Sequence, residues 1–567
     1  MRMPWKKKRS LRAEVQPDEI FIDASNVSEL DRDQFEGKIE QPLNRSSFLA
    51  SGIVLSLVFF GLLLRAGDMQ IAHGKTYADK ARENQSSQKI LFADRGIIVD
   101  RKGMPLAYNQ RLDDTGTSTA QTFSTRVYAD MRGLAHVVGY AKAPAKDSTG
   151  AYYRDAFVGM DGAERAYEKQ LNGQNGLQLT ETDAHGKVVA ESVTQPQETG
   201  GQVKLSIDAN VTQGLYDNIA ELAQRSGFQG GAGVIMDIKT GEIVALTSYP
   251  EYSQNAVAQG DSQALQALNA SKQQPFLDRA TSGLYAPGSI VKPVVAAAAI
   301  NEGVIDENKQ ILSTGSISVP NPYDPKHPSV FRDWRANGWV DARGAIAVSS
   351  DVYFYEVGGG YPGQLGLGID RLDKYFSMFG FGSDAGLTGF TEQVGNIPTL
   401  DWKKKYFPAD PTWRLGDTYH TAIGQYGMQV TPLQAVREAA AIANGGTLLT
   451  PTVLASSTPQ GSKINISDHS LQVVREGMRQ GVDVGIAGAV KFDFVHVAAK
   501  TGTAQIGLHN EFINSWMIGF FPYENPRYAY AVVLERGPAH TTMGSPAAVG
   551  QFLLWMHDNA PQYLTAQ

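Results

Sequence analysis

Two serine–lysine pairs with the spacing Ser-x-x-Lys occur in the chain, Ser86 with Lys89 and Ser289 with Lys292. A serine hydroxyl becomes a useful nucleophile when a neighbouring base takes its proton. A lysine can be that base only while neutral, which burial and a second nearby cation promote. Ser289 has the local setting for this chemistry. Pro287 and Gly288 interrupt the chain before it and a helix-forming run follows. That places Ser289 at a helix start, where free N–H groups and the positive dipole end favour developing negative charge. Lys292 then lies on the same helix face, with Cβ atoms about 5–6 Å apart.

The local pattern alone is a weak signal, because its companions also recur along the chain. Lys-Thr-Gly is found at Lys239 and at Lys500, and Ser-x-Asn or Ser-x-Asp at Ser253 to Asn255 and at Ser349 to Asp351. The set Ser289/Lys292, Ser349/Asp351 and Lys500/Thr501/Gly502 runs in the order Ser-x-x-Lys, Ser-x-Asp, Lys-Thr-Gly. In it the nucleophile opens a helix and the last motif lies on a strand. The bland alternatives are a helix cap at Ser349 and Asp351, and an ordinary turn from Lys500 to Thr503. Glu392 and Asn396 mimic a deacylating Glu-x-x-x-Asn pair, and Gly358 to Gly360 form a loop with no Gly-Lys-Ser/Thr following it.

The elements that must position these residues follow from pattern. NVTQGLYDNIAELAQRS is a helix, and GAGVIMDIKTGEIVALTSYP is two strands around a turn at Lys239-Thr240-Gly241. KPVVAAAAINEG is a small-residue helix that must pack closely. VHVAAKTGTAQ, NSWMIGFFPY and RYAYAVVLERG are three successive strands, and SPAAVGQFLLWMHDN is a closing helix. The expected fold is α+β, a sheet covered by helices. Residues 70–200 read as a β-rich or α+β module with no long helical stripe.

At 567 residues the chain suits two or three domains. A net charge of −7 argues against a nucleic-acid protein as a whole. The absence of cysteine excludes disulfides, a thiol nucleophile and a Cys-ligated zinc, and the ten histidines show no close pair, so neither metal nor cofactor is expected. Residues 46–64 carry no charge over a length that spans about 30 Å of hydrocarbon as a helix. Arg2, Lys6, Lys7, Lys8, Arg9, Arg12 and Arg45 precede it, which predicts a cytoplasmic N-terminus and some 500 residues outside. The expected organisation is a disordered tail (1–45), a transmembrane helix (46–65), a pedestal (66–200) and a catalytic domain (201–567).

The three motifs in this order resemble those of penicillin-binding proteins and class A β-lactamases. The stretch from Arg95 to Asn109, then HVVGY and GMDGAERAYEKQLNGQNG, resembles the pedestal of class B penicillin-binding proteins, and IGQYGMQVTPLQ and WMIGFFPYENP resemble their transpeptidase domain. Asp351, with WKKKYF and WRLGDTYHTAIGQ, is most similar to the elongation type, penicillin-binding protein 2. Only 16 residues separate Asn109 from Arg126, so the pedestal is shortened. The resemblance implies a serine β-lactamase/D,D-peptidase-like fold and a peptidoglycan D,D-transpeptidase of the bacterial cytoplasmic membrane. It implies that Ser289 attacks the penultimate D-Ala carbonyl of a stem peptide with Lys292 as base. Ser349 and Asp351 would relay a proton, Lys500 supply positive field, and Thr501, Gly502 and Thr503 bind the substrate carboxylate. Backbone N–H groups of Ser289 and Thr503 would form the oxyanion hole. It also implies trapping by β-lactams and a SEDS-family glycosyltransferase partner. Alternatives are a β-lactam hydrolase or sensor on the same fold, a division-type transpeptidase, and a non-enzymatic scaffold. Some elongation-type relatives hold zinc near the second motif through a cysteine, where this chain has Ser350.

Overall fold

The computed structural model describes residues 44–111, 123–183, 185, 187–321 and 324–565. The expected disordered tail lies outside these residues except for Asn44 and Arg45, as does most of the shortened pedestal segment. The chain forms two compact units. One runs to Ser87 and takes in the short segment Thr182–Lys187, and the other holds the remainder.

The first unit is led by helix α1 (Arg45–Gly67), which runs into a π-helical turn at Asp68–Ala72. The most apolar 18 residues within Arg45–Ala72 have a mean hydropathy of 2.4, and this is the one helix among the described residues long and apolar enough to cross a membrane. A second helix follows at Gly74–Gln85, in a region where the sequence reading expected no long helix. Its polar sequence GKTYADKARENQ lacks the apolar stripe that would have announced it.

In the second unit, strands β1 (Ile98–Val99), β2 (Pro105–Gln110), β3 (Thr125–Tyr128) and β4 (Val203–Lys204) make a sheet in the order β4-β1-β2-β3. Beside it, Arg95, Arg126 and Glu164 form a buried ionic cluster. The main sheet contains β5 (Gly230–Asp237), β6 (Ile243–Tyr249), β7 (Ala498–Ile506), β8 (Phe512–Phe521) and β9 (Tyr528–Pro538), ordered β6-β5-β9-β8-β7 and antiparallel throughout. Successive side chains of a strand point to opposite faces. Val234 and Met236 accordingly join one core with Ile518, Ala531 and Val533, while Ile235 joins another with Met517 and Val532. Both faces are covered, which is why these strands read as unbroken apolar runs.

Helices α2 (Ala209–Ser226), α3 (Lys292–Asn301), α4 (Ala342–Val348), α5 (Asp351–Gly359), α6 (Pro432–Ala443), α7 (Asp468–Asp483) and α8 (Ser545–Asn559) supply the covering layers. α2 and α8 share the core on one face, and α3, α6 and α7 share the other. α3 is the predicted small-residue helix, and its side chains from Lys292 to Ala299 are buried. Full burial of Val294 and Val295 contributes roughly 1.5–3 kcal/mol each. The alanines around them leave room for the neighbouring helices, so an enlargement there costs about 1–3 kcal/mol in strain.

Candidate active site

Ser289 does not open the α-helix directly. It sits in a 3₁₀ turn, Gly288–Val291, and Lys292 is the first residue of α3, followed by Pro293. Gly288 has φ +56°, and its N–H donates to the Gly424 carbonyl at 2.9 Å. A Cβ there would meet the Thr503 carbonyl oxygen at 2.9 Å, so glycine brings the serine turn against strand β7. From the other side, a Cβ on Gly502 would lie 2.8 Å from the Pro287 oxygen and 2.9 Å from Ile290. Trp516, buried on β8, donates its indole N–H to the Ala286 carbonyl at 3.0 Å and fastens the turn to the sheet. β7 is the sheet's edge strand, and Thr501 and Thr503 on it line the same cavity as Ser289.

The second motif bridges α4 and α5. Ser349 caps α4 in the left-handed region, φ 59°, and is buried. Two lysines converge on its hydroxyl: Lys500 Nζ donates to Ser349 Oγ at 2.9 Å and Lys292 Nζ at 3.3 Å. Lys292 also donates to the Ser349 carbonyl at 2.8 Å and to Asp351 Oδ1 at 2.6 Å. Lys500 donates to the Thr501 carbonyl at 2.8 Å. Both lysines are buried, against a single carboxylate. Burial pushes Lys500 well below the ordinary lysine value, the Lys292 charge adds to this, and Asp351 opposes it. The sequence reading asked for a second cation beside Lys292, and Lys500 is such a cation, sharing the Ser349 hydroxyl with it.

These residues line a cavity of about 1250 Å³ that reaches Ser289, Ser349, Asp351, Thr501, Thr503 and Gln505. The lysines lie beneath its floor. Its walls include residues the motif reading did not single out: Phe331, Trp334, Tyr355, His420 and Tyr426. Trp334 donates its indole N–H to Val348 O at 3.2 Å, and Phe331 packs on Tyr419 and His420. Burial lowers the His420 imidazole, with Asp417 and Asp351 opposing. Asp333 Oδ2 accepts from Ser313 (2.9 Å), Ser350 (2.7 Å) and the Val352 N–H (3.2 Å), tying the cavity wall to the second motif. Burial raises this carboxyl, but those hydrogen bonds outweigh it and leave it below the usual range. The sequence signal for Asp333 was only an acidic residue beside Trp334; nothing local revealed its partners.

The competing motifs prove to have other positions. Lys239-Thr240-Gly241 is the β5–β6 turn, held by Asp237, with Gly241 at φ +80°. Asn255 exchanges two hydrogen bonds with Tyr128, at 2.9 and 3.0 Å, and docks the pedestal strand β3. Glu392 accepts the N–H groups of Ala385, Gly386 and Leu387 and does not line the cavity. Ser350 donates to Asp333, and among the described residues no cluster of three His, Cys, Asp or Glu side chains has the arrangement to hold a metal ion.

The chain matches the penicillin-binding protein transpeptidase domain family over residues 231–552 and the penicillin-binding protein dimerisation domain family over residues 110–205. It is 28% identical to the peptidoglycan D,D-transpeptidase MrdA of Escherichia coli K12, over 86% of this chain and 92% of that one. Among solved structures it is similar to penicillin-binding protein 2 of Pseudomonas aeruginosa in complex with WCK 5153, with 29% identity, 84% of this chain and 99% of that one covered, and a TM-score of 0.66. It is also similar to the complex between penicillin-binding protein 2 and MreC from Helicobacter pylori, with 26% identity, the same coverages and a TM-score of 0.68. With the transpeptidase match alone taking in more than half its length, the chain belongs to the penicillin-binding protein transpeptidase family.

Proposed function

We propose that the chain is an elongation-type peptidoglycan D,D-transpeptidase that works through an acyl-enzyme on Ser289. The observation that carries this reading is the convergence of Lys292 and Lys500 on the Ser349 hydroxyl, beneath a cavity reached by Ser289 and Thr503. Two buried cations facing one carboxylate cannot both hold their protons comfortably, so the cluster has room for one more. Ser349 Oγ, within hydrogen-bond reach of both amines, lets that vacancy pass from Lys500 to Lys292. The lysine pair, joined through Ser349, is thus the base that takes the Ser289 proton as Oγ adds to the penultimate D-Ala carbonyl. The oxyanion is taken up by the N–H groups of Ser289 and Thr503, one at the turn and one on the edge strand. On collapse, the D-Ala C–N bond breaks and the amine leaves with a proton from Ser349. Lys500, Thr501 and Thr503 hold the departing carboxylate, with Gly502 keeping the strand close. An acceptor amine then attacks the ester, and Ser289 regains its proton. A β-lactam follows the first half of this path and stops at the acyl-enzyme.

Hydrolysis of the ester would need a base poised over it. Glu392, the one carboxylate that the sequence suggested for this, is occupied by three backbone donors away from the cavity. The apolar helix and the cations preceding it support a single-pass anchor with the N-terminus in the cytoplasm and the catalytic unit outside. The similarity to the MreC complex supports a place in an elongation assembly beside a SEDS-family glycosyltransferase.

The test is intact-mass spectrometry of the full chain in detergent after exposure to a fluorescent penicillin. One adduct on Ser289 is expected, absent in Ser289→Ala, together with a cross-linked dimer when stem peptides are supplied. Labelling that persists in Ser289→Ala would overturn the reading.

A further inference from the structure

His420 lines the catalytic cavity together with Ser289 and Asp351, and no step of the proposed transfer uses it. It stands in the last turn of the helix Leu415–Ala422. Its carbonyl accepts the Gln425 N–H at 2.9 Å, while the Gly424 carbonyl accepts the Gly288 N–H at 2.9 Å. The segment that carries the imidazole is thus hydrogen-bonded to the turn that carries Ser289. A Cβ on Gly424 would run into the Gly288 backbone, so glycine lets the two segments touch. The imidazole ring packs 5.6 Å from Phe331 and 6.4 Å from Tyr355, centroid to centroid. Tyr355 lies on α5, one turn beyond Asp351. His420 therefore stands on the second-motif side of the cavity.

The carboxylates near the ring are committed elsewhere. Asp417, on the same helix, accepts from Lys403 Nζ and from the Arg414 N–H. Asp351, on α5, is held by Lys292 at 2.6 Å. The ring nitrogens of His420 make no ion pair and no hydrogen bond among the described residues. Its packing neighbours, Phe331 and Tyr355, are aromatic. Burial outweighs the pull of Asp417 and Asp351 and holds the imidazole below its ordinary value. At neutral pH it is uncharged, so one of its nitrogens presents a lone pair that nothing in the protein uses.

Protons counted through the transfer leave one without a place. The lysine pair takes the Ser289 proton and, through Ser349, hands one to the departing amine, so after acylation it has a single vacancy again. A neutral acceptor amine fills that vacancy as its nitrogen bonds to the ester carbon. Ser289 recovers the same proton when its C–O bond breaks. In water at neutral pH, however, an alkyl amine is an ammonium group, with an ordinary value of about 10.4. It carries one proton more than the pair can hold and has no lone pair until that proton is gone. The acceptor nitrogen comes in where the leaving nitrogen went out, on the side of Ser349, which is also the side of His420. We propose that His420 is a second general base of this enzyme, which takes the extra proton from the acceptor ammonium as the amine attacks. One N–H bond of the ammonium breaks and one forms on the imidazole, which afterwards releases the proton to solvent. Loss of water on entering the cavity weakens the ammonium's hold on its proton and brings the two bases closer in strength.

This role rests on the acyl-enzyme reading of Ser289, and its test separates the two. The full chain in detergent is loaded with a thioester analogue of the donor stem, and the Ser289 adduct is confirmed by intact mass. Single-turnover aminolysis of that adduct is then followed with two acceptors, D-alanine, an ammonium at neutral pH, and trifluoroethylamine, which is neutral there. In the wild type the ratio of the D-alanine rate to the trifluoroethylamine rate should stay level from about pH 7 to about pH 9, because the ammonium form is itself a substrate. In His420→Gln that ratio should fall at least tenfold at neutral pH and climb about tenfold per pH unit, following the neutral fraction of D-alanine. A purely structural role would slow both acceptors alike and leave the ratio unmoved, which overturns the assignment. A wild-type ratio that already climbs about tenfold per pH unit overturns it without any variant. No Ser289 adduct in the wild type overturns the transpeptidase reading itself, and the second base with it.

Discussion

Two regions of this molecule bury arginine or lysine charges, and they do so to opposite ends. In the pedestal, Arg95 reaches Glu164 and Glu168, each at 2.6 Å, while Arg126 reaches Glu164 at 2.8 Å. Two cations face two carboxylates, and Asn172 and Tyr128 add hydrogen bonds. Burial pulls the Arg95 guanidinium down, but the two glutamates outweigh it and hold it above its ordinary value. At the candidate active site, two buried lysines face Asp351 alone, and burial wins at Lys500. A balanced cluster keeps its charges and acts as a clamp. A cluster one carboxylate short gives up a proton and can act as a base.

The largest expected effect comes from unbalancing the clamp. Glu164→Gln leaves two buried arginines with Glu168 as their only carboxylate, and folding stability should fall by about 3–5 kcal/mol in urea titrations of the full chain. Penicillin acylation per folded molecule should stay at the wild-type rate. A loss under about 1 kcal/mol would show that the pedestal cluster is not balanced as its geometry implies. The converse substitution is Lys500→Met, which removes a cation that burial disfavours. It should raise stability at neutral pH by an amount on the order of 1 kcal/mol while acylation collapses. The pH dependence fixes the sign. The folded-state value of Lys500 lies below the unfolded one of about 10.4, so between the two the unfolded chain binds more protons and wild-type stability rises with pH. The advantage of Lys500→Met should therefore be greatest below the folded-state value and shrink as pH climbs toward 10.

Much of this contrast could be read in the sequence, but unevenly. The strands 498–506, 512–521 and 528–538 and the helix 292–301 were legible because an apolar run bounded by turn residues has few other places to go. Ser289, Lys292, Ser349 and Lys500 were legible through the order of their motifs, and the fold does bring Lys292, Ser349, Asp351 and Lys500 together. The charge imbalance was not legible, because it depends on which carboxylates do not arrive. Glu164 and Asp351 are both single acidic residues at the start of a helix, and only their long-range neighbours separate them. Asp333 and His420 were missed for a related reason: each acts through partners far along the chain, and a left-handed backbone at serine leaves no mark on composition.

Asp351→Asn tests whether the missing carboxylate matters by removing the remaining one. The lysine pair then loses its carboxylate partner, so the acid limb of the pH–acylation profile should move to lower pH. The plateau should drop about tenfold or more, because Lys292 loses the contact that orients it. An acid limb that moves upward would mean that Asp351 does not hold the lysine protons.

The smallest effect separates strain from chemistry at Ser349. Its left-handed backbone costs about 1 kcal/mol or more in any residue but glycine, and its hydroxyl joins the two lysines. Ser349→Ala keeps the strain and loses the hydroxyl; Ser349→Gly loses both. Each leaves two buried amines short of an acceptor, so both should acylate at the same low rate. In urea, however, Ser349→Gly should be the more stable of the two, by about 1 kcal/mol at most, since glycine's greater freedom in the unfolded chain takes back part of the relief. Equal stabilities would mean that the turn between α4 and α5 stores no strain, and that the hydroxyl alone explains why serine stands there.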